Sequence, residues 1–118
     1  MSKKTFTDCT EFLIPLRDAL DVINGKWKLQ IIMSLWAGNK RFREIERSIP
    51  KLTTKVLATE LKDLEENQLI KRTVYDTSPV LIEYCLLPYA ESLKEVVEAL
   101  TNWGKNHRKQ IFKNSRVD

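Results

Sequence analysis

The sequence predicts a mainly α-helical chain with one small β-hairpin, an α+β fold forming a single domain over residues 1–118. Three observations carry this. Apolar residues recur at 3- and 4-residue intervals in four separate stretches, the period of a helix buried on one side. Two short segments rich in Val, Ile, Leu, Tyr and Thr, residues 70–75 and 81–87, are joined by the turn cluster Asp76-Thr77-Ser78-Pro79. The length suits one core and not two.

The elements follow in order. Phe12, Leu16, Leu20 and Ile23 mark a helix over residues 12–23, stopped by Asn24-Gly25, both tolerant of the left-handed conformation. Residues 27–36 are apolar on most sides, and a short helix without a wet face belongs at the centre of a fold. Ala37-Gly38-Asn39 is a turn. Residues 41–48 form a short helix with Phe42 and Ile45 inward, ended by Pro50. Thr53 is an N-cap for the next helix, which runs to Glu66. After the hairpin, Pro88 suits the first turn of a long helix over residues 88–113, along which Tyr89, Leu93, Val96, Leu100, Trp103, His107 and Ile111 form one stripe.

The segment from Lys40 to Leu87 is the most informative. On the helix after Thr53, Leu57, Leu61 and Leu64 fall on one side and Lys55, Thr59 and Lys62 on the other. A helix that buries leucines and presents hydroxyls and lysines fits a DNA major groove. Its first turn holds no acid, leaving the positive end of the helix dipole open to phosphate or base edges. Helix, turn, helix and hairpin, residues 41–66 then 70–87, is the order of a winged helix-turn-helix. The candidate DNA-binding residues are Lys40, Arg41 and Arg43 before and on the first helix, Thr53, Thr54, Lys55, Thr59 and Lys62 on the second, and Lys71, Arg72 and Ser78 on the wing. An ordinary solvated face is the alternative for any one stripe; three elements bringing cations together favour double-stranded DNA as partner.

Helices 12–23 and 88–113 lie outside that unit. Two amphipathic helices at opposite chain ends exceed what one small core can cover, so they are expected to pair across a twofold axis in a homodimer. His107 on that stripe reads as a packed or hydrogen-bonded histidine. A small hydrophobic effector between these helices and the winged unit is conceivable, and a winged helix serving only protein interaction is a further alternative.

Other functions find little support. One histidine rules out an ordinary Cys-His or Ser-His-Asp arrangement, so no catalytic residues are assigned. Two cysteines and one histidine at unrelated positions cannot form a zinc site of normal spacing. Three glycines provide no phosphate-binding loop, so no metal and no cofactor is expected. The net charge of +4 matters through its placement rather than its size. Residues 29–36, the longest near-apolar run, are too few to span a bilayer, and residues 1–10 lack the apolar stretch of a signal peptide. Cys9 and Cys85 do not make a disulfide framework. A cytoplasmic protein with no membrane partner is expected.

These residues together resemble the HxlR-type winged helix-turn-helix transcriptional regulators. Asn24-Gly25-Lys26-Trp27 is similar to the family's Gly-Lys-Trp opening of the second helix. Lys40-Arg41-Phe42-Arg43-Glu44-Ile45 is similar to its Arg-Phe segment, and Lys55-Val56-Leu57 with Leu61-Lys62-Asp63-Leu64-Glu65 to its recognition helix. Leu69-Ile70-Lys71-Arg72, Pro79, Glu83-Tyr84 and Leu86 resemble its wing, and Trp103-Gly104 its late-helix signature. The resemblance implies prokaryotic dimers that bind palindromic operators and regulate neighbouring genes. Many members place Cys-Pro at the head of the first helix, whereas here Ile14 precedes Pro15 and Cys9 lies five residues earlier. Gln68 stands where a glycine commonly ends the recognition helix, which assigns the left-handed position to Asn67. Leu87 replaces a usual threonine cap.

Overall fold

The computed structural model describes the backbone of residues 10–117 and the side chains of residues 11–113. The elements are α1 (Thr10–Ile23), α2 (Lys28–Trp36), α3 (Phe42–Ser48), α4 (Thr54–Glu66), β1 (Ile70–Tyr75), β2 (Leu81–Leu86), a 3-10 segment (Pro88–Leu93) and α5 (Lys94–Val117). Cys9 lies outside the described residues.

The core is built from the middle of the chain. Ile31 and Ile32 of α2, Ile45 of α3 and Leu57, Leu61 and Leu64 of α4 are each no more than 2% exposed, closed off by Leu69 and Ile70 at the start of the wing. Burying a side chain of this size contributes about 1.5–3 kcal/mol, so this cluster is what holds α2, α3 and α4 together. The central place expected for α2 is observed, although Met33 is half exposed and Lys28 and Ser34 are buried with the isoleucines.

The turns follow local chemistry. Gly25 and Gly38 have φ of +82° and +102°, conformations open to glycine at little cost. Ile49 is extended ahead of Pro50, which ends α3. Thr53 caps α4 by accepting the Val56 amide at 3.3 Å. The end of α4 differs from expectation. Gln68, not Asn67, takes the left-handed position at φ +63°, while Asn67 stays at −86°. The amides of Gln68 and Leu69 then donate to the carbonyls of Glu65 and Leu64, both at 3.0 Å, a Schellman closure that requires the left-handed residue one position after the cap.

β1 and β2 form an antiparallel hairpin in the register Ile70↔Leu86, Arg72↔Tyr84 and Tyr75↔Leu81. The residues after it also depart from expectation: Pro88 opens a 3-10 segment, and the α-helix starts only at Lys94. Leu87 has no side-chain oxygen to cap the first amides, and the chain closes on the tighter Ala90 N–H to Leu87 C=O bond at 2.9 Å.

α1 and α5 project from this body. The radius of gyration is 18.1 Å, against about 13.5 Å for a compact chain of this length. On α1, Phe12, Leu13, Ile14, Leu16 and Leu20 are 42–59% exposed, and Leu100, Trp103, Ile111 and Phe112 of α5 are at least half exposed. His107 is exposed as well, and it stacks on Trp103 with ring centroids 4.9 Å apart rather than packing inside.

Candidate nucleic-acid interface

α4 presents the two stripes its spacing requires. Leu57, Leu61 and Leu64 are buried, while Lys55, Thr59 and Lys62 are exposed on the opposite side. The Thr59 hydroxyl donates to the Lys55 carbonyl at 3.2 Å, so its lone pairs remain open to a donor. Thr53 is exposed as well and uses its hydroxyl oxygen as the cap.

The two flanks of α4 differ. On one, the Lys28 ammonium reaches across from α2 to Glu60 Oε1 at 2.5 Å and Asp63 Oδ2 at 3.4 Å, with Asn24 Oδ1 also at 3.4 Å. Burial alone would pull the Lys28 pKa down. Hydrogen bonds and charge attraction from Glu60, then Asp63, outweigh it and hold the pKa above the ordinary lysine value. On the other flank, Lys62 and Glu65 of α4 face Arg72 and Tyr84 of the wing across a groove of about 280 Å3.

The wing and the start of α3 are tied together. The Tyr84 amide donates to the Lys40 carbonyl at 2.8 Å. The amides of Lys40 and Arg41 donate to Glu44 Oε1 at 2.9 and 3.2 Å. Those bonds, the Lys40 amide foremost, hold the Glu44 carboxyl below the usual carboxylate range. The backbone that carries Lys40, Arg41 and Arg43 is thereby fixed, while the three side chains stay exposed.

Two expected site residues, Thr54 and Lys71, differ from a simple basic face. Thr54 does not offer a free hydroxyl, because Oγ1 donates to Glu46 Oε2 at 2.5 Å. Glu46 also accepts from Arg43 at 3.4 Å. A carboxylate from α3 therefore sits at the first turn of α4, although α4 itself brings no acid there. The hairpin alternates its side chains, so Arg72 shares the α4 side with Tyr84, whereas Lys71, paired with Cys85, lies on the opposite face. Ser78 is exposed at the wing tip, which Thr77 Oγ1 closes by donating to the Pro79 carbonyl at 2.7 Å.

Lys28, Glu46, Glu60 and Asp63 were not singled out by the sequence. The one signal for Lys28 was a lysine inside an otherwise apolar helix. Its partners lie 32 and 35 residues away, beyond any local period.

Among the described residues no group of three or more His, Cys, Asp or Glu could hold a metal, and no helix is long and apolar enough to cross a membrane.

A family profile described as HxlR-like helix-turn-helix matches residues 22–112. The HTH-type transcriptional regulator YtcD of Bacillus subtilis is 37% identical over 102 residues, covering 86% of this chain and 81% of the relative. An HTH-type transcriptional regulator of Methanothermobacter thermautotrophicus is 41% identical over 95 residues, covering 80% and 72%. Among solved structures, that of YtcD superposes with a TM-score of 0.74 at 39% identity, covering 80% of this chain and 96% of the other. The redox regulator HypR in its reduced form superposes at 0.76 and 33% identity, covering 84% and 98%. With the helix-turn-helix in place, its leucine side buried and these relatives spanning most of its length, the chain belongs to the HxlR-like helix-turn-helix family and is a transcriptional regulator, not an enzyme.

Proposed function

We propose that the protein acts as a homodimer on a palindromic operator, with α4 in the major groove. Lys55, Thr59 and Lys62 read base edges or adjacent phosphates. Lys40, Arg41 and Arg43 bind the backbone from the start of α3, and Arg72, with Ser78 at the tip, extends the contact along the wing. Thr53 contributes from the head of α4. The observation that carries this reading is the exposed Lys55, Thr59 and Lys62 stripe set back to back with the fully buried leucines on a helix pinned along one flank by Lys28.

The dimer is supported by α1 and α5. Their apolar stripes are half exposed along helices that leave the body, and a second copy related by a twofold axis would cover both at once. In that arrangement the two α4 helices address half-sites about 34–36 Å apart, one helical turn, or a multiple of it.

Footprinting of the purified protein on the DNA upstream of its own gene tests the whole reading. Two protected half-sites in inverted repeat, with a solution mass twice that of one chain by light scattering, are expected. A single asymmetric footprint bound by a monomer would contradict it. A regulator gated by a small ligand is a narrower form of the same reading, favoured by one cleft beside α1.

A further inference from the structure

That cleft, of about 310 Å3, lies between α1, the 3-10 segment with the start of α5, and Leu69. The volume falls at the lower end of the range in which proteins hold small organic ligands. Its floor is Leu69, 1% exposed, whose amide closes the end of α4. Its walls are chiefly Val22 of α1 with Leu93 and Val96.

Asp18 and Ser92, two of the polar residues that line it, act as acceptors toward a guest. Asp18 contributes a carboxylate with no ion pair among the described residues. The Ser92 hydroxyl donates its hydrogen to the Tyr89 carbonyl at 2.7 Å, which leaves only lone pairs for a guest. Among the described residues no lysine, arginine or histidine lines the cleft, and Tyr89 adds an aromatic side chain to its lining. An apolar floor with acceptors at the rim suits a molecule with a greasy tail and a positively charged, donating head.

We propose that this cleft is a binding site for a small lipophilic cation, an amine whose tail lies on Val22, Leu69 and Val96 and whose head meets Asp18 and Ser92. A second copy of the chain is the competing occupant, and the concentration dependence of binding separates the two. At 100° per residue, Asp18 and Val22 are turned by about 120–160° from the centre of the Phe12, Leu16 and Leu20 stripe, whereas Ile23 falls at the end of that stripe, and on the other wall the cleft shares Tyr89, Leu93 and Val96 with the stripe of the last helix. Val22 and Ile23 are half-buried within the protomer, while Phe12, Leu16 and Leu20 are open. Because the guest would touch α1, α5 and the residue that closes α4, it would couple the arms to the reading helix; that consequence, unlike binding itself, rests on the DNA-regulator reading.

The test uses the full-length protein and three probes sharing one tail: 4-phenylbutylamine, 4-phenylbutanol and 4-phenylbutyrate, titrated by calorimetry. The amine is expected to bind about ten-fold more tightly than the alcohol, the advantage of one charge-assisted contact, and the carboxylate least. Asp18→Asn should bring the amine down to the alcohol without weakening the alcohol, and Asp18→Glu should keep the preference. Equal binding of the three probes, no binding of any, or a preference that survives Asp18→Asn would overturn the proposal. So would amine binding that appears only at dilutions where the protein is monomeric, which would give the cleft to the second copy. None of these readouts involves DNA, so failure of the cleft and failure of operator binding remain distinguishable.

Discussion

Lys28 sits 5% exposed in a helix whose other buried residues are two isoleucines and a serine, with its ammonium between Glu60 and Asp63. Removing it strands the Glu60 carboxylate, whose side chain is only 18% exposed, whereas Asp63 at 45% can turn to water. Lys28→Ala should therefore cost about 1–3 kcal/mol, less than breaking a fully buried pair, measured by urea unfolding. Glu44 gives a pH signature. Its pKa is lowered in the fold by the Lys40 and Arg41 amides, so its contribution is complete above the unfolded value of about 4.3 and is lost as pH falls through the depressed one. Thermal unfolding of wild type and Glu44→Gln should differ at pH 6 and converge as the pH falls through the depressed Glu44 value; a gap constant with pH would show that the charge of Glu44 does not matter. Neither role was legible beforehand. Lys28 finds its partners through tertiary packing, whereas Glu44 could have been suspected, since a glutamate three residues after a cap position commonly reaches back to it.

The elements themselves were largely readable because each has its own local cause. The leucine period located α4 and its buried side, Thr53 its start, and Asn24-Gly25 the end of α1. Reading failed where two local rules competed. Asn67 was assigned the left-handed position on propensity, yet its side chain instead donates to the Asp63 carbonyl at 3.0 Å while the Schellman bonds place Gln68 there. Pro88 permits an α-helix, but with no cap at Leu87 the first turns tighten to 3-10 geometry. The wing supplies the prediction belonging to this level. Lys71 and Arg72 are adjacent in sequence and opposite in space, with Arg72 beside Lys62. Arg72→Ala should weaken all duplexes alike and make the slope of log affinity against log salt about one unit shallower for each phosphate that Arg72 neutralises. Lys71→Ala should change both much less, and equal effects would place the whole hairpin edge, rather than its inner face, against DNA.

The whole chain has a small interior and two long exposed arms, an arrangement that one copy leaves half finished. α5 alone is about 36 Å long, and its Leu100 and Trp103 are 50% and 66% exposed. Leu100→Asp should shift the species seen by light scattering from dimer to monomer with little loss of far-ultraviolet helicity, since Leu100 lies outside the core around Ile31, Ile45 and Leu61. The excess of amphipathic helix over core was visible in the sequence. The opening between α1 and α5 was not, because it depends on where the helices cross. Function at this scale turns on the exposed face of α4. Its most direct test is fluorescence anisotropy of wild type and Lys55→Ala on the footprinted operator and on a random duplex across a salt series. Lys55→Ala is predicted to lose about 1–3 kcal/mol on the operator while its random-duplex affinity drops far less. Identical operator affinities for the two proteins, or wild-type binding that ignores salt, would contradict the assignment of α4 as the helix that reads DNA.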